Sequence, residues 1–260
     1  MLIFQVCHIL DFIRQYLLRP DIKYDDDDGG KEMNEIYTQL VKQLIDDKKV
    51  DRRQVWSFVN EGQLDPTSPI TLRKEMEQWY IGMGITDITG EVFSLEECPF
   101  TKQEIEEANN NNEMILCVPK DLTQRQLGTL LRLENWALDD VLAEESIEPK
   151  DLWFKSKATA SPEFIRESGI DITRQFREEK KVLFSLGIYM VFIGRFRYLY
   201  NKTPDSEFWI WINKGRYDRS GMLVAGFDRY KKFNVHGWMP HFSAGFLGAR
   251  YGELPESLRK

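Results

Sequence analysis

The chain has 260 residues, of which 42% are hydrophobic and 13% aromatic, which is enough to bury a sizeable hydrophobic core. Its net charge of −7 is unevenly divided: residues 1–181 carry 23 basic and 36 acidic residues, a balance of −13, whereas residues 182–260 carry 12 and 6, a balance of +6. Three widely spaced cysteines without a C-x-x-C pair indicate neither a disulfide framework nor a zinc knuckle, so we expect reduced thiols and a cytoplasmic protein.

The first 20 residues are mostly apolar, but polar residues interrupt them at near-helical spacing. No basic region precedes the segment and no small-residue cleavage site follows it, so it differs from a signal peptide. It predicts an amphipathic helix over 1–20 that packs on the body, with an interfacial membrane helix as the alternative. The apolar stretch 182–193 is shorter than the roughly 20 residues that cross a bilayer, so no membrane span is expected. Residues 21–32, with five aspartates and two glycines, predict an acidic flexible linker.

Residues 33–181 are predicted to form a helix-rich, acidic portion with short strands. Apolar residues at three- and four-residue spacing indicate amphipathic helices over 33–45, 55–62 and 72–80. Further along, the sequence predicts a hairpin over 85–95, a helix that begins at the capping box Thr101–Glu104, a buried strand over 113–119, a helix over 122–133 and a helix that begins at Ser161 and Pro162.

Residues 182–260 differ in kind, because they are rich in aromatic and β-branched residues separated by short turn-like clusters. This pattern is typical of an antiparallel sheet joined by hairpins. Residues 208–212 are apolar on both faces, which predicts a central strand covered on both sides. The predicted fold class is therefore α+β, with a helix-rich N-terminal portion packed on a C-terminal antiparallel sheet as one compact unit. The predicted strands cover 182–200, 206–213, 221–227 and 232–238.

Two of the three histidines, His236 and His241, lie five residues apart between glycines. A loop could bring both rings to one metal ion with Asp228 or Glu207 as the third ligand, or one histidine could act as an acid or base near neutral pH. The favoured interpretation is structural, in which His236 ends a strand and His241 bonds a backbone carbonyl. The glycines at 245–252 lack both the P-loop lysine and the dinucleotide-binding spacing, so no cofactor is predicted.

Basic and aromatic residues coincide in the C-terminal part, where 17 of the 33 aromatic residues fall within 79 residues. Such a face could stack bases and bind phosphates, but core rings and solvated turn charges explain the same composition. The positive charge could equally dock on the acidic N-terminal portion or on a partner. The candidate binding residues are Arg195, Arg197, Arg216, Arg219, Lys231, Lys232 and Trp238.

Three functional interpretations follow, in order of preference. The first is a binding or interaction protein without a catalytic motif, which recognises a protein partner or a second copy of itself. The second is nucleic-acid or polyanion binding through the basic, aromatic sheet. The third is a metal-assisted or histidine-dependent hydrolase that uses residues 228–241. No G-x-S-x-G nucleophile motif occurs, so the sequence does not decide whether the protein is an enzyme.

Overall fold

A computed structural model describes residues 65–133, 145–216 and 221–259. The chain divides into two compact units, Met1–Pro66 and Thr67–Lys260, and almost all of the described residues belong to the second. The predicted helix over 1–20, the linker over 21–32 and the helices predicted over 33–62 lie outside the described residues.

Three helices open the second unit. The first follows Ser68 and has Pro69 in its first turn, where the missing amide proton costs nothing. The predicted hairpin over 85–95 is wrong: its first residues form a short helix, which Gly90 ends in the left-handed conformation. The predicted capping box is confirmed, because the Thr101 side chain accepts from the Glu104 amide and the Glu104 side chain accepts from the Thr101 amide. These helices are α1 (Pro69–Gly82), α2 (Ile85–Thr89) and α3 (Lys102–Asn110).

The next elements combine a two-stranded sheet with a helix. Strand β1 (Glu113–Val118) lies where a buried strand is predicted, and helix α4 (Gln124–Leu130) begins at Thr123 with a second capping box. Strand β2 (Leu152–Lys157) pairs antiparallel with β1. Strand β2 is not among the strands that the sequence predicts.

The helix predicted to begin at Ser161 and Pro162 is wrong. Glu163 instead forms a β-bridge with Ala249, and Arg166 has a φ of 73°, which a right-handed helix excludes. Helix α5 (Gly169–Glu178) begins several residues later, and the hydroxyl of its N-cap residue Ser168 accepts a hydrogen bond from the Asp171 amide.

The strand predicted over 182–200 is also wrong. Only Val182–Leu183 is extended, as strand β3. The remainder is helix α6 (Leu186–Tyr200), which begins after Ser185 and ends at Asn201 in the left-handed conformation. Its first eleven residues are all buried. The segment is apolar on every side because the core encloses this helix, and not because it is a strand covered on both faces. Within the described residues, no helix is both long and apolar enough to span a membrane.

A four-stranded sheet follows α6, and three of its strands lie where the sequence predicts them. The spatial order is β6-β5-β4-β7; β4 pairs antiparallel with β5 and parallel with β7, and β5 pairs antiparallel with β6. Strand β8 pairs with β3 in a separate two-stranded sheet. The strands are β4 (Trp209–Arg216), β5 (Met222–Phe227), β6 (Phe233–Trp238), β7 (Leu247–Gly248) and β8 (Tyr251–Gly252), and a 3₁₀ turn covers Glu256–Leu258.

The four-stranded sheet is covered on both faces around β4, as predicted. Ile210 and Ile212 face the main core, which also contains α6, β1 and residues of α1, so the helix-rich N-terminal portion packs on the C-terminal sheet. Trp211 points to the opposite face and is completely buried. Helix α5 approaches it closely because Gly169 has no side chain: a Cβ there would lie 3.1 Å from the indole. The α+β fold class is thus confirmed.

Candidate functional site

The connection between β6 and β7 forms a surface over the second face of the sheet. Because β6 and β7 lie at opposite edges, residues 239–246 cross the sheet between them. Two turns shape this crossing. In the first, the Phe242 amide donates to the Met239 carbonyl at 2.9 Å, with Pro240 at the second turn position, which its fixed φ favours. In the second, the Leu247 amide donates to the Ala244 carbonyl at 3.0 Å.

Aromatic rings join this connection to the sheet beneath it. The Trp238 ring centroid lies 5.5 Å from that of Phe242 and 5.4 Å from that of Phe246. The Trp209 amide donates to the Phe246 carbonyl at 2.8 Å, and the Trp209 ring lies 5.0 Å from the His236 ring. The rings are therefore fixed by main-chain hydrogen bonds and by each other.

Large apolar side chains in this region remain in contact with solvent. Met239 is 61% exposed, and Phe242 and Phe246 are each 43% exposed. The N-terminal end of α5 extends the surface, because the Ile170 amide donates to the Pro240 carbonyl at 3.0 Å. The Arg166 amide likewise donates to the Leu247 carbonyl, which places Ile165 beside the same connection. We call this surface the aromatic patch; it comprises Ile165, Ile170, Trp238, Met239, Phe242 and Phe246.

The two histidines border the aromatic patch. His236 is exposed on β6, on the same face as Trp238, and His241 is exposed in the turn after Pro240. The structure does not bring Asp228 to them. Asp228 follows β5 beyond the Phe227–Phe233 pair and lies opposite Lys232, and His236 lies four residues from Lys232 along β6, about 13 Å away.

The Asp228 carboxylate organises its own turn. It accepts hydrogen bonds from the amides of Tyr230 at 2.8 Å and Lys232 at 2.9 Å. The hydrogen bond from the Lys232 amide is the main cause of a lowered Asp228 pKa. Lys231 completes the hairpin in the left-handed conformation, with a φ of 61°. Asp228 thus shapes the β5–β6 hairpin, and within the described residues no group of three His, Cys, Asp or Glu side chains could hold a metal ion.

The candidate binding arginines and lysines have different environments. Arg195 is only 1% exposed, forms an ion pair with Glu75 and lies between the rings of Trp79 and Tyr198, so it belongs to the interior and not to the predicted surface. Lys232 is exposed on the β5–β6 hairpin. Arg219 and the side chain of Arg216 lie outside the described part of the chain.

Two of the candidate residues meet in a cleft. Arg197, from the last turn of α6, and Lys231, from the β5–β6 hairpin, line an open cavity of about 650 Å³. Lys202 and Glu207, from the connection between α6 and β4, line it as well. We call this the basic cleft. Arg197 and Lys231 are both candidate binding residues from the sequence, but the strand predicted over 182–200 does not bring them together.

A buried ion pair supports the wall of the basic cleft. Asp205, in the α6–β4 connection, receives two hydrogen bonds from Arg250, and both side chains are almost completely buried. The Asp205 amide also donates to the Ala160 carbonyl at 2.8 Å, which joins the two loops on that side. The sequence does not reveal this pair, because 45 residues separate its members.

Comparison with known proteins gives no match to a family model, to a curated protein or to a solved structure. The chemistry that the described residues can perform therefore has to be inferred from the two surfaces themselves. The aromatic patch can bury apolar area against a partner, and the basic cleft can bind negative charge.

Proposed function

We propose that the protein is a binding protein that docks a partner protein through the aromatic patch. The observation that carries this proposal is the exposure of Phe242 and Phe246, whose rings both contact Trp238, together with exposed Met239 in the same turn as Phe242. Contiguous exposed apolar patches are uncommon on proteins that do not use them, and they mark interaction sites.

The composition of the aromatic patch supports this use. Aromatic residues and methionine are enriched in the centres of protein interfaces, and polar groups surround them. Here His236, His241 and Arg166 provide such a polar rim. The rings are held by the sheet and by two turns, so little conformational entropy would be lost when a partner binds.

Site-specific photo-crosslinking tests the proposal. Phe242→p-benzoylphenylalanine places a photoreactive ring at the centre of the aromatic patch, and the same residue at Val92, which is 97% exposed elsewhere, is the matched control. We expect irradiation of cells to produce a discrete adduct from position 242 and none from position 92. The purified partner should then bind the wild-type protein.

Two other outcomes would contradict the proposal that a different protein docks on the aromatic patch. An adduct between two copies of the chain would indicate self-association through the patch. An adduct within one chain, from position 242 to residues 1–66, would show that the protein covers the patch itself. The absence of any adduct from position 242, with the protein expressed and folded, would also contradict the proposal.

We also propose that the protein works in the cytoplasm. Cys98 and Cys117 are free thiols, which fits a reducing compartment. Both thiols are shielded, and burial raises the pKa of Cys98 to about 11. Localisation of a fluorescent fusion in the source cells tests this, and a protein recovered from an oxidising compartment would contradict it.

A further inference from the structure

We propose that the basic cleft binds the phosphate group of a small phosphate monoester. This inference is independent of the aromatic patch, because it rests on different residues and on a different chemistry. Three cationic side chains, Arg197, Lys202 and Lys231, line the same concavity. Contacts with neighbouring side chains orient one of them, Arg197, and hydroxyl groups lie beside the three cations.

Arg197 is the central cation of the basic cleft. Its Nε donates to the Thr203 hydroxyl at 3.2 Å, and its guanidinium lies 5.0 Å from the Phe227 ring centroid. These contacts hold the half-buried guanidinium in one orientation. Burial lowers the pKa of Arg197, since no carboxylate within the described residues lies at ion-pair distance to offset the loss of solvent. A guanidinium fixed in this way matches the paired oxygen atoms of a phosphate.

Two lysines add charge from either side. Lys202 lies just beyond the end of α6, and Lys231 is held on the β5–β6 hairpin by the turn that Asp228 organises. In the described part of the chain, neither ammonium group forms an ion pair. Glu207 also lines the cleft, so three cations face one carboxylate and a dianionic phosphate is favoured over a singly charged carboxylate.

The remaining walls of the basic cleft suit a small organic phosphate. The hydroxyl groups of Ser161 and Ser206 can donate to phosphate oxygens, and Phe208 provides an apolar surface for the rest of the ligand. The concavity holds about 650 Å³, the size of a small-molecule site. A nucleic-acid strand would need an extended groove, and the rings of the aromatic patch lie on a separate surface.

Binding of phenyl phosphate and of inorganic phosphate tests this inference, with phosphorus NMR line broadening as the readout. The test variant is K202Q/K231Q, which removes two charges from exposed side chains. The matched control is K74Q/K150Q, which removes two exposed lysine charges outside the cleft. We expect K202Q/K231Q to weaken phenyl phosphate binding at least about tenfold and the control variant to bind like wild type. Arg197→Gln should weaken binding by a similar factor, with folding checked by circular dichroism.

Three results would overturn the inference. The first is the absence of phenyl phosphate binding by the wild-type protein at millimolar concentrations. The second is equal binding by K202Q/K231Q and K74Q/K150Q. The third is a ten-nucleotide single-stranded DNA that binds the same residues more tightly than phenyl phosphate, with an affinity that falls steeply with salt, because that would identify the ligand as nucleic acid.

Discussion

Arg250 and Asp205 form a two-point ion pair in the interior of the protein. The Arg250 Nε and Nη2 atoms each lie 2.7 Å from a different Asp205 oxygen. The Tyr189 hydroxyl donates to the same carboxylate at 3.2 Å, and Arg250 Nη2 also donates to the Thr159 carbonyl at 2.8 Å. Desolvation raises the pKa of Asp205, and the contacts with Arg250 oppose that rise. The pair therefore joins the α6–β4 connection, the loop at 159–160 and the segment between β7 and β8.

Asp205→Ala should strongly destabilise the protein. The substitution leaves the Arg250 charge buried without its partner, which costs about 3–5 kcal/mol of the free energy of unfolding. Urea denaturation measures this change. Glu96→Ala removes an exposed partner of Lys120 and should leave stability nearly unchanged. Equal effects of the two variants would show that the buried pair does not hold the loops.

Glu104 should make stability depend on pH below about 4.5. Burial alone raises the pKa of Glu104, but hydrogen bonds from the Glu256 and Thr101 amides and from the Thr101 hydroxyl lower it overall. A lowered pKa stabilises the folded state above the ordinary value near 4.5, and this stabilisation is lost as the pH falls through the folded-state pKa.

Glu104→Gln provides the test. At pH 6 it should cost about 1 kcal/mol, since the charged capping contacts are weakened. Urea denaturation between pH 6 and pH 3 measures the free energy of unfolding of both proteins. The difference in this free energy between the variant and the wild type should become smaller toward pH 3. A difference that stays constant across this range would contradict the role of the Glu104 charge.

Gly226→Ala should disturb the sheet beneath the aromatic patch. A Cβ at this position would lie 2.6 Å from the Phe208 carbonyl oxygen and 3.2 Å from the Trp209 Cα, and main-chain atoms cannot rotate away. We expect a loss of about 1–3 kcal/mol. Gly82→Ala is the control, because no atom lies within 4 Å of its added Cβ, and thermal unfolding should show unchanged or raised stability. A stable Gly226→Ala variant would contradict the close packing of β4 and β5.

Cys98 should react slowly with iodoacetamide in the native protein. Burial raises its pKa to about 11, so the reactive thiolate is about a hundredfold or more scarcer at pH 7.5 than for a free cysteine. Peptide mapping by mass spectrometry follows Cys98 separately from the other thiols. Its labelling rate should rise with pH up to about 11 and increase strongly in urea, whereas rapid labelling at neutral pH would show that the thiol is accessible and ionised.

The sequence predicts those elements in which local pattern and burial agree. Strands β4 and β5 are apolar on both of their covered faces, and turn residues separate β5 from β6. The Thr101 capping box is a local hydrogen-bond motif. Local pattern does not identify helix α6 as a helix, because its buried residues are apolar on every side and show no helical periodicity. Its nineteen-residue apolar and aromatic segment exceeds the usual strand length, and that length was the available signal for a helix.

The functional surfaces depend on contacts that sequence spacing does not show. The sequence predicts Trp238 as a binding residue, but Phe242 and Phe246 become its neighbours only because the β6–β7 connection crosses the sheet. Arg197 and Lys231 come together because α6 ends beside the β5–β6 hairpin. His236 and Asp228 are close in sequence, yet the hairpin register separates them.

The affinity of the purified crosslinked partner for matched surface variants tests the central claim most directly. M239S/F242S removes two exposed apolar side chains from the aromatic patch, and I81S/V92S removes two from other exposed positions. If the partner docks on the aromatic patch, M239S/F242S should bind it at least about tenfold more weakly than the wild type, and I81S/V92S should bind it with near-wild-type affinity. Isothermal titration calorimetry measures these affinities. Equal affinities of both variants and the wild type would contradict the claim that this surface docks the partner.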